Sequence, residues 1–252
     1  MQGSTEGCPT ENDPIKNAWE YRWLTNEILP LQHPTGEDIG DTQEVYLSRS
    51  HNGGGSLIPA FCRTYVKETG AEVVAIVAAR GSTTIAQWMC GTQRYACAAQ
   101  KIRAGIEKVR QLGNVEHIYY IWLQGESDAI IETTQEEYVR QIEAYKKCLK
   151  EEFDIEKFGI IRVGYFCSQS DWYCTSVNTA QYGKQCDEII MHAQEKAVQQ
   201  DSDFLMLTRV CAELSTKPEY ITPGVSGHYN NRAMEVIGTE AGEALAKCRE
   251  NA

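Results

Sequence analysis

The chain has 252 residues, 42% of them hydrophobic, and carries 35 acidic against 24 basic side chains, for a net charge of -11. That is enough for one sizeable core in a single domain spanning residues 1–252, and the acidic balance argues against a nucleic-acid partner, which favours a basic face. No run approaches the ~18 apolar residues of a membrane span, so no membrane partner is expected. The polar, acidic first thirty residues lack the basic start and apolar core of a secretory signal.

Residues 1–55 give the weakest pattern. Trp19, Tyr21, Trp23 and Leu24 read as a short strand or as a loop cluster. His51 to Gly55 (HNGGG) is a glycine-rich turn, which either cradles an anion at a helix start or serves a bend that needs positive φ. From residue 56 strands and helices alternate. Leu57–Glu68 is helical, and Glu72–Ala79 is a β-branched apolar run of the kind buried in parallel sheets. Ala99–Leu112 repeats Ile102, Ile106 and Val109 at helical spacing. Glu116–Leu123 is a second buried strand. Gln135–Phe153 is a helix with Tyr138, Ile142, Tyr145 and Leu149 on one face. Lys157–Phe166 is a third strand, Asn178–Gln200 a long helix and Phe204–Val210 a fourth strand. Asn231–Lys247 closes the chain as a helix facing inward with Met234, Ile237, Ala241 and Leu245. This alternation predicts βαβ units, hence a three-layer αβα fold around a flavodoxin-like parallel sheet.

The ten cysteines include no Cys-x-x-Cys pair, so neither a zinc ribbon nor a thioredoxin-type site is expected, and no metal or cofactor is assigned. Cys148 and Cys248 fall inside predicted helices and read as packing residues. Cys90 with Cys97, and Cys167 with Cys174, close small disulfide loops in an oxidising compartment or stay free thiols in a reducing one.

Open parallel sheets bind ligands beyond the carboxyl ends of their strands. Arg80 to Thr84 follow the first of the four strands, Gln124 to Asp128 the second, Cys167 to Ser170 the third, and Gly227 to Asn230 lie on a loop after the fourth. The Gln124 side-chain N–H and the Gly81 backbone N–H can form an oxyanion hole for acyl transfer. His228 can be the general base, and Glu126 or Asp128 the acid that orients its ring. Each residue also has a plainer reading: His228 facing solvent, Asp128 capping a turn, Gln124 satisfying backbone groups, Trp88 and Trp122 filling core.

The string WLQGESD at Trp122–Asp128 resembles a block of the sialate O-acetylesterase-like and carbohydrate esterase family 6 members of the SGNH hydrolase superfamily. Ala79-Arg80-Gly81-Ser82 with the later Trp88 resembles the family's glycine block. Gly227-His228-Tyr229, followed by Ile237-Gly238, resembles its histidine block. The resemblance implies His228 as base, Gln124 and Gly81 at the oxyanion hole, and Glu126 in the block that supplies the acid in some members. Many relatives carry an aspartate three residues before the histidine, where this chain has Val225. That departure shifts the acid role to Glu126 or leaves a dyad. The family opens on a strand ending Gly-Gln-Ser-Asn-Met, and Met1 matches that methionine, so the resemblance places the nucleophilic serine two residues ahead of Met1 and the first strand of the sheet ahead of the chain as given. Ser4 is the nearest hydroxyl.

The implied activity is a serine esterase that removes acetyl or similar small acyl groups from a carbohydrate, the sugar being presented by Trp88 or a nearby aromatic residue. The alternatives are a non-catalytic carbohydrate-binding protein on the same fold and a thiol hydrolase using Cys167 or another cysteine near His228.

Overall fold

The computed structural model describes residues 6–9, 12–39, 45–47 and 54–250. Ser4 and positions 51–53 of the glycine-rich turn lie outside the described residues. The chain forms two compact units. One comprises Met1–Gly81, Gly91–His117 and Asn230–Ala252, and the other Ser82–Cys90 and Ile118–Tyr229.

In the first unit β1 (Ala18–Arg22) pairs antiparallel with β2 (Glu27–Pro30), Trp19 opposite Pro30, and parallel with β5 (Val73–Ala75), Ala18 opposite Val73. Of the aromatic cluster, Trp19 and Tyr21 are therefore strand, while Trp23 and Leu24 form the turn that leads to β2. β5 is shorter than the apolar run around it because only Ala18 to Glu20 of β1 stand opposite it. β3 (Glu37–Ile39) and β4 (Val45–Leu47) form a separate antiparallel pair. Three helices complete the unit: α1 (Ile58–Thr69), α2 (Gln93–Arg110) and, at the end of the chain, a helix over Asn231–Glu250. Gly238 and Gly242 let that last helix approach α1 closely, since a Cβ on either would fall 2.3 Å from the Leu57 carbonyl oxygen or 2.6 Å from that of Phe61. Gly55 of the glycine-rich turn donates its N–H to Asn231 Oδ1 at 3.1 Å.

This unit buries an ion pair that hydrophobic patterning does not reveal. Lys101 on α2 is fully buried and lies 2.9 Å from Glu37 Oε2. Glu37 also accepts the backbone N–H groups of Trp23 and Leu24. These partners outweigh burial and hold the Glu37 carboxyl below its usual range. A buried charge of this kind is tolerated only when paired and hydrogen-bonded.

In the second unit β6 (Tyr119–Trp122), β7 (Lys157–Ile161) and β8 (Phe204–Thr208) form a parallel sheet in that order. Trp122 stands opposite Ile160, and Ile160 opposite Met206. Its helices are α3 (Glu126–Ile130), α4 (Gln135–Phe153), α5 (Ala180–Gln200) and α6 (Cys211–Leu214), so the helix over Asn231–Glu250 is α7. Thr134 caps α4 and Thr179 caps α5, each hydroxyl accepting the N–H three residues on. The apolar face expected for α4 is the one that packs: Tyr138, Ile142, Tyr145 and Leu149 are all buried. Tyr145 joins Tyr120, Trp122 and Phe158 in an aromatic core over the sheet.

The readings for Cys148 and for Cys90 with Cys97 need correction, while Cys167 and Cys174 take the free-thiol alternative. Cys148, expected as packing, forms a disulfide with Cys90, which ties the segment before α2 to α4. Cys97, Cys167 and Cys174 are free thiols, so neither small loop closes. The helical periodicity around Cys148 says which face it occupies but not which distant segment meets that face.

Candidate active site

Gln124 and Gly125 leave the carboxyl end of β6 and start α3. Gly125 has φ 153°, and a Cβ there would come within 2.7 Å of the Ile190 side chain, so the turn needs glycine for conformation and for space. Gln124 is buried among partners. Its amide nitrogen donates to the Thr83 carbonyl at 2.6 Å and to Asp128 Oδ2, and its Oε1 accepts from Tyr138 Oη at 3.3 Å. A side-chain amide has two N–H groups, and here both are committed, so Gln124 holds no spare donor for an oxyanion in this conformation. The opposite amide orientation would set its oxygen against a carbonyl and a carboxylate.

Asp128 is buried and accepts three donors: Gln124, the Ile85 backbone N–H at 2.9 Å and the Thr133 hydroxyl at 3.1 Å. Burial raises its pKa while the hydrogen bonds oppose the rise. Its work is to clamp the segment Ser82–Cys90 to α3. Trp88 belongs to the same clamp. It is 2% exposed, donates its indole N–H to Thr83 Oγ1 and packs edge-on to Trp122. The expectation that Trp88 presents a sugar fails for that reason: both of its faces are in core. Gly81 is the last residue of its segment of the first unit, is exposed, and is followed by Ser82 in the left-handed region at φ 55°.

The loop after β7 is held from α5. Asp187 accepts the backbone N–H groups of Cys167 and Ser168 and the Ser168 hydroxyl, at 3.0 to 3.1 Å. Gln194 accepts the Val163 N–H at 3.0 Å and donates to the Gln124 carbonyl and to Tyr138 Oη. Both are polar residues on the buried stripe of α5, in step with Ile190, Met191 and Ala197. A polar residue at a core position of an amphipathic helix is the signal that could have found them. Cys167 is fully buried, and burial pushes its thiol above the ordinary range, which disfavours the thiolate that a thiol hydrolase needs.

His228 sits on a loop pinned at both ends: the Thr222 N–H donates to the His228 carbonyl at 2.8 Å, and the His228 N–H donates to the Val225 carbonyl at 3.2 Å. Its Nδ1 lies 3.1 Å from the Ser226 carbonyl. A carbonyl can only accept, so Nδ1 carries the proton and Nε2 is left with its lone pair. The ring packs edge-on to Phe166, centroids 5.4 Å apart. Gly227, with φ 76°, makes this possible, because a Cβ there would lie 2.3 Å from Ser170 Oγ and 3.2 Å from the Phe166 ring.

Glu126, expected as the acid, is half-buried in the first turn of α3. Its charge adds to the rise of the Tyr229 and Cys211 pKa values, which burial chiefly causes. It makes no hydrogen bond or ion pair with His228: the place of a triad acid at Nδ1 is taken by a backbone carbonyl. Within the second unit the structure thus brings Gln124, Asp128, Thr83 and Trp88 into one cluster and His228, Phe166 and Ser226 into another.

A parallel sheet whose carboxyl ends carry these loops places the protein in the three-layer α/β class of SGNH type. A sequence model of the family described as "Carbohydrate esterase, sialic acid-specific acetylesterase" matches residues 18–211, well over half of the chain, and the protein belongs to that family. Among solved structures it is similar to an Arabidopsis thaliana protein at 19% identity and TM-score 0.61, covering 95% of this chain and 85% of that one. It is also similar to NanS, at 16% identity and TM-score 0.62, covering 100% of this chain and 94% of that one. No curated protein matches it.

Proposed function

We propose that the protein is a serine-type carbohydrate esterase that removes acetyl groups from a sugar, with His228 as its general base. The observation that carries this reading is the His228 ring, fixed by the Ser226 carbonyl as the Nδ1–H tautomer with Nε2 free to take a proton. The nucleophile is a serine hydroxyl. Its oxygen attacks the acetyl carbonyl while Nε2 takes its proton. The ester C–O bond breaks, the sugar hydroxyl leaves with that proton, and water, activated by the same nitrogen, releases acetate. An oxyanion donor is the Gln124 amide, which serves on releasing its bond to the Thr83 carbonyl. The partner is an acetylated carbohydrate rather than a nucleic acid or a membrane. The chemistry rests on side chains and backbone, without a bound cofactor.

A fluorophosphonate probe with peptide mapping tests this. An adduct on a single serine in the folded protein, lost in His228→Ala together with turnover of 4-nitrophenyl acetate, is the expected result. A folded chain that takes no adduct would sink the esterase reading. It would favour a sugar-binding relative on the same fold, which the fully committed Gln124 amide also suits.

A further inference from the structure

Once Trp88 and Trp122 are accounted for as core, the loop after β7 still carries a large aromatic ring open to solvent. Trp172 is 57% exposed. It packs against Phe166 at 6.0 Å and against Tyr173 at 6.0 Å, leaving part of its surface uncovered. Phe166 is the ring that meets His228, so Trp172 stands two ring contacts from the free imidazole nitrogen.

A single exposed apolar side chain is ordinary on a protein surface and needs no function. Trp172 differs in how firmly its loop is tied to the histidine. The Asp171 N–H, next to it in sequence, donates to Ser226 Oγ at 2.8 Å, and Ser226 is the residue whose carbonyl orients the His228 ring. On its other side the Tyr173 and Cys174 N–H groups donate to the Ser170 carbonyl at 3.0 and 2.9 Å. Ser170 Oγ in turn donates to the Phe166 carbonyl and occupies the space left by the missing Cβ of Gly227. The two loops form one hydrogen-bonded piece with the indole standing on it. Among the described residues the Trp172 indole N–H has no acceptor, which leaves a donor beside an apolar face. That combination suits a pyranose, whose C–H face stacks on an aromatic ring while a hydroxyl or acyl oxygen takes the N–H.

We propose that Trp172 is the sugar-seating residue of this site, carrying the apolar face of an acetylated pyranose whose ester is presented to His228. This rests on the esterase reading for what happens to the ester, but the seating itself is a binding claim and is testable without turnover. Calorimetric titration of an O-acetylated N-acetylneuraminic acid glycoside into the His228→Ala protein should show binding. Adding Trp172→Ala should weaken it about tenfold or more, and Trp172→Phe should recover most of the loss. In the otherwise unchanged protein, Trp172→Ala should raise KM for acetate release from that glycoside with little change in kcat, and the loss should be smaller on 4-nitrophenyl acetate, which has no sugar ring to seat. Equal binding with and without Trp172, or no binding of the glycoside at all, overturns the proposal. Absence of turnover on both esters with Trp172-dependent binding retained overturns the esterase reading and leaves the seating role standing.

Discussion

The Nδ1 atom of His228 is the point at which the chemistry of this site is decided. A triad acid contributes by fixing the tautomer and by stabilising the imidazolium, and its loss typically costs about four orders of magnitude in rate. Here the Ser226 carbonyl fixes the tautomer. A carbonyl dipole stabilises the imidazolium less than a carboxylate does, so the proposed esterase is expected to turn over slowly. The expectation for Glu126→Gln follows. Steady-state turnover of an acetyl ester should fall by less than about tenfold, because the side chain makes no hydrogen bond to the ring and the Nδ1 position is held by the Ser226 carbonyl. A drop approaching the triad-acid value would show that Glu126 reaches Nδ1 during the reaction.

At the scale of elements, the loops after the strands are positioned by helices rather than by their own sequence. Asp187 and Gln194 on α5 hold the loop after β7 and the exit of β6, while Asp128 on α3 holds the segment Ser82–Cys90. The Cys90–Cys148 disulfide fastens that segment to α4 across 58 residues of sequence. Cross-linking a loop of that length restrains the unfolded chain. Cys148→Ser should therefore lower stability by about 2–4 kcal/mol, read as a shift in the urea midpoint, and reductant should shift the unmodified protein by a similar amount. A midpoint indifferent to both treatments would show that the pair is reduced in the working protein. The helix pattern made Cys148 legible only as a packing residue on a helix; the identity of its partner depends on how the chain folds back.

For the molecule as a whole, an excess of carboxylates makes the response to acid the informative one. Glu195 on α5 accepts two bonds from Arg209, each 2.6 Å, and one from Arg162 at 2.9 Å. The Arg209 hydrogen bonds are the main cause of its lowered pKa. A carboxyl whose folded pKa is depressed contributes stability that is present above its unfolded value of 4.5 and is lost as pH falls through the folded value. The gap in urea midpoint between the unmodified protein and Glu195→Gln should therefore be open at pH 7 and should close on acidification below 4.5. A gap that does not narrow at all as the pH falls below 4.5 would mean that the glutamate acts through packing rather than charge.

Local pattern along the chain carries the alternation of strands and helices from residue 56 onward, the buried face of α4, and the blocks Trp122–Asp128 and Gly227–Tyr229 that bear the family likeness. These are properties of period and local chemistry, and they survive any packing. What each polar group faces depends instead on how distant segments pack. Packing buried Trp88 and left Trp172 outside, committed both N–H groups of Gln124, set a carbonyl rather than a carboxylate at His228, paired Lys101 with Glu37, and joined Cys90 to Cys148. The physical reason is range. Hydrophobic periodicity is written within a few turns of chain, whereas the partner of a buried donor or charge is supplied by a segment dozens of residues away, and the sequence of neither segment records which atoms will meet.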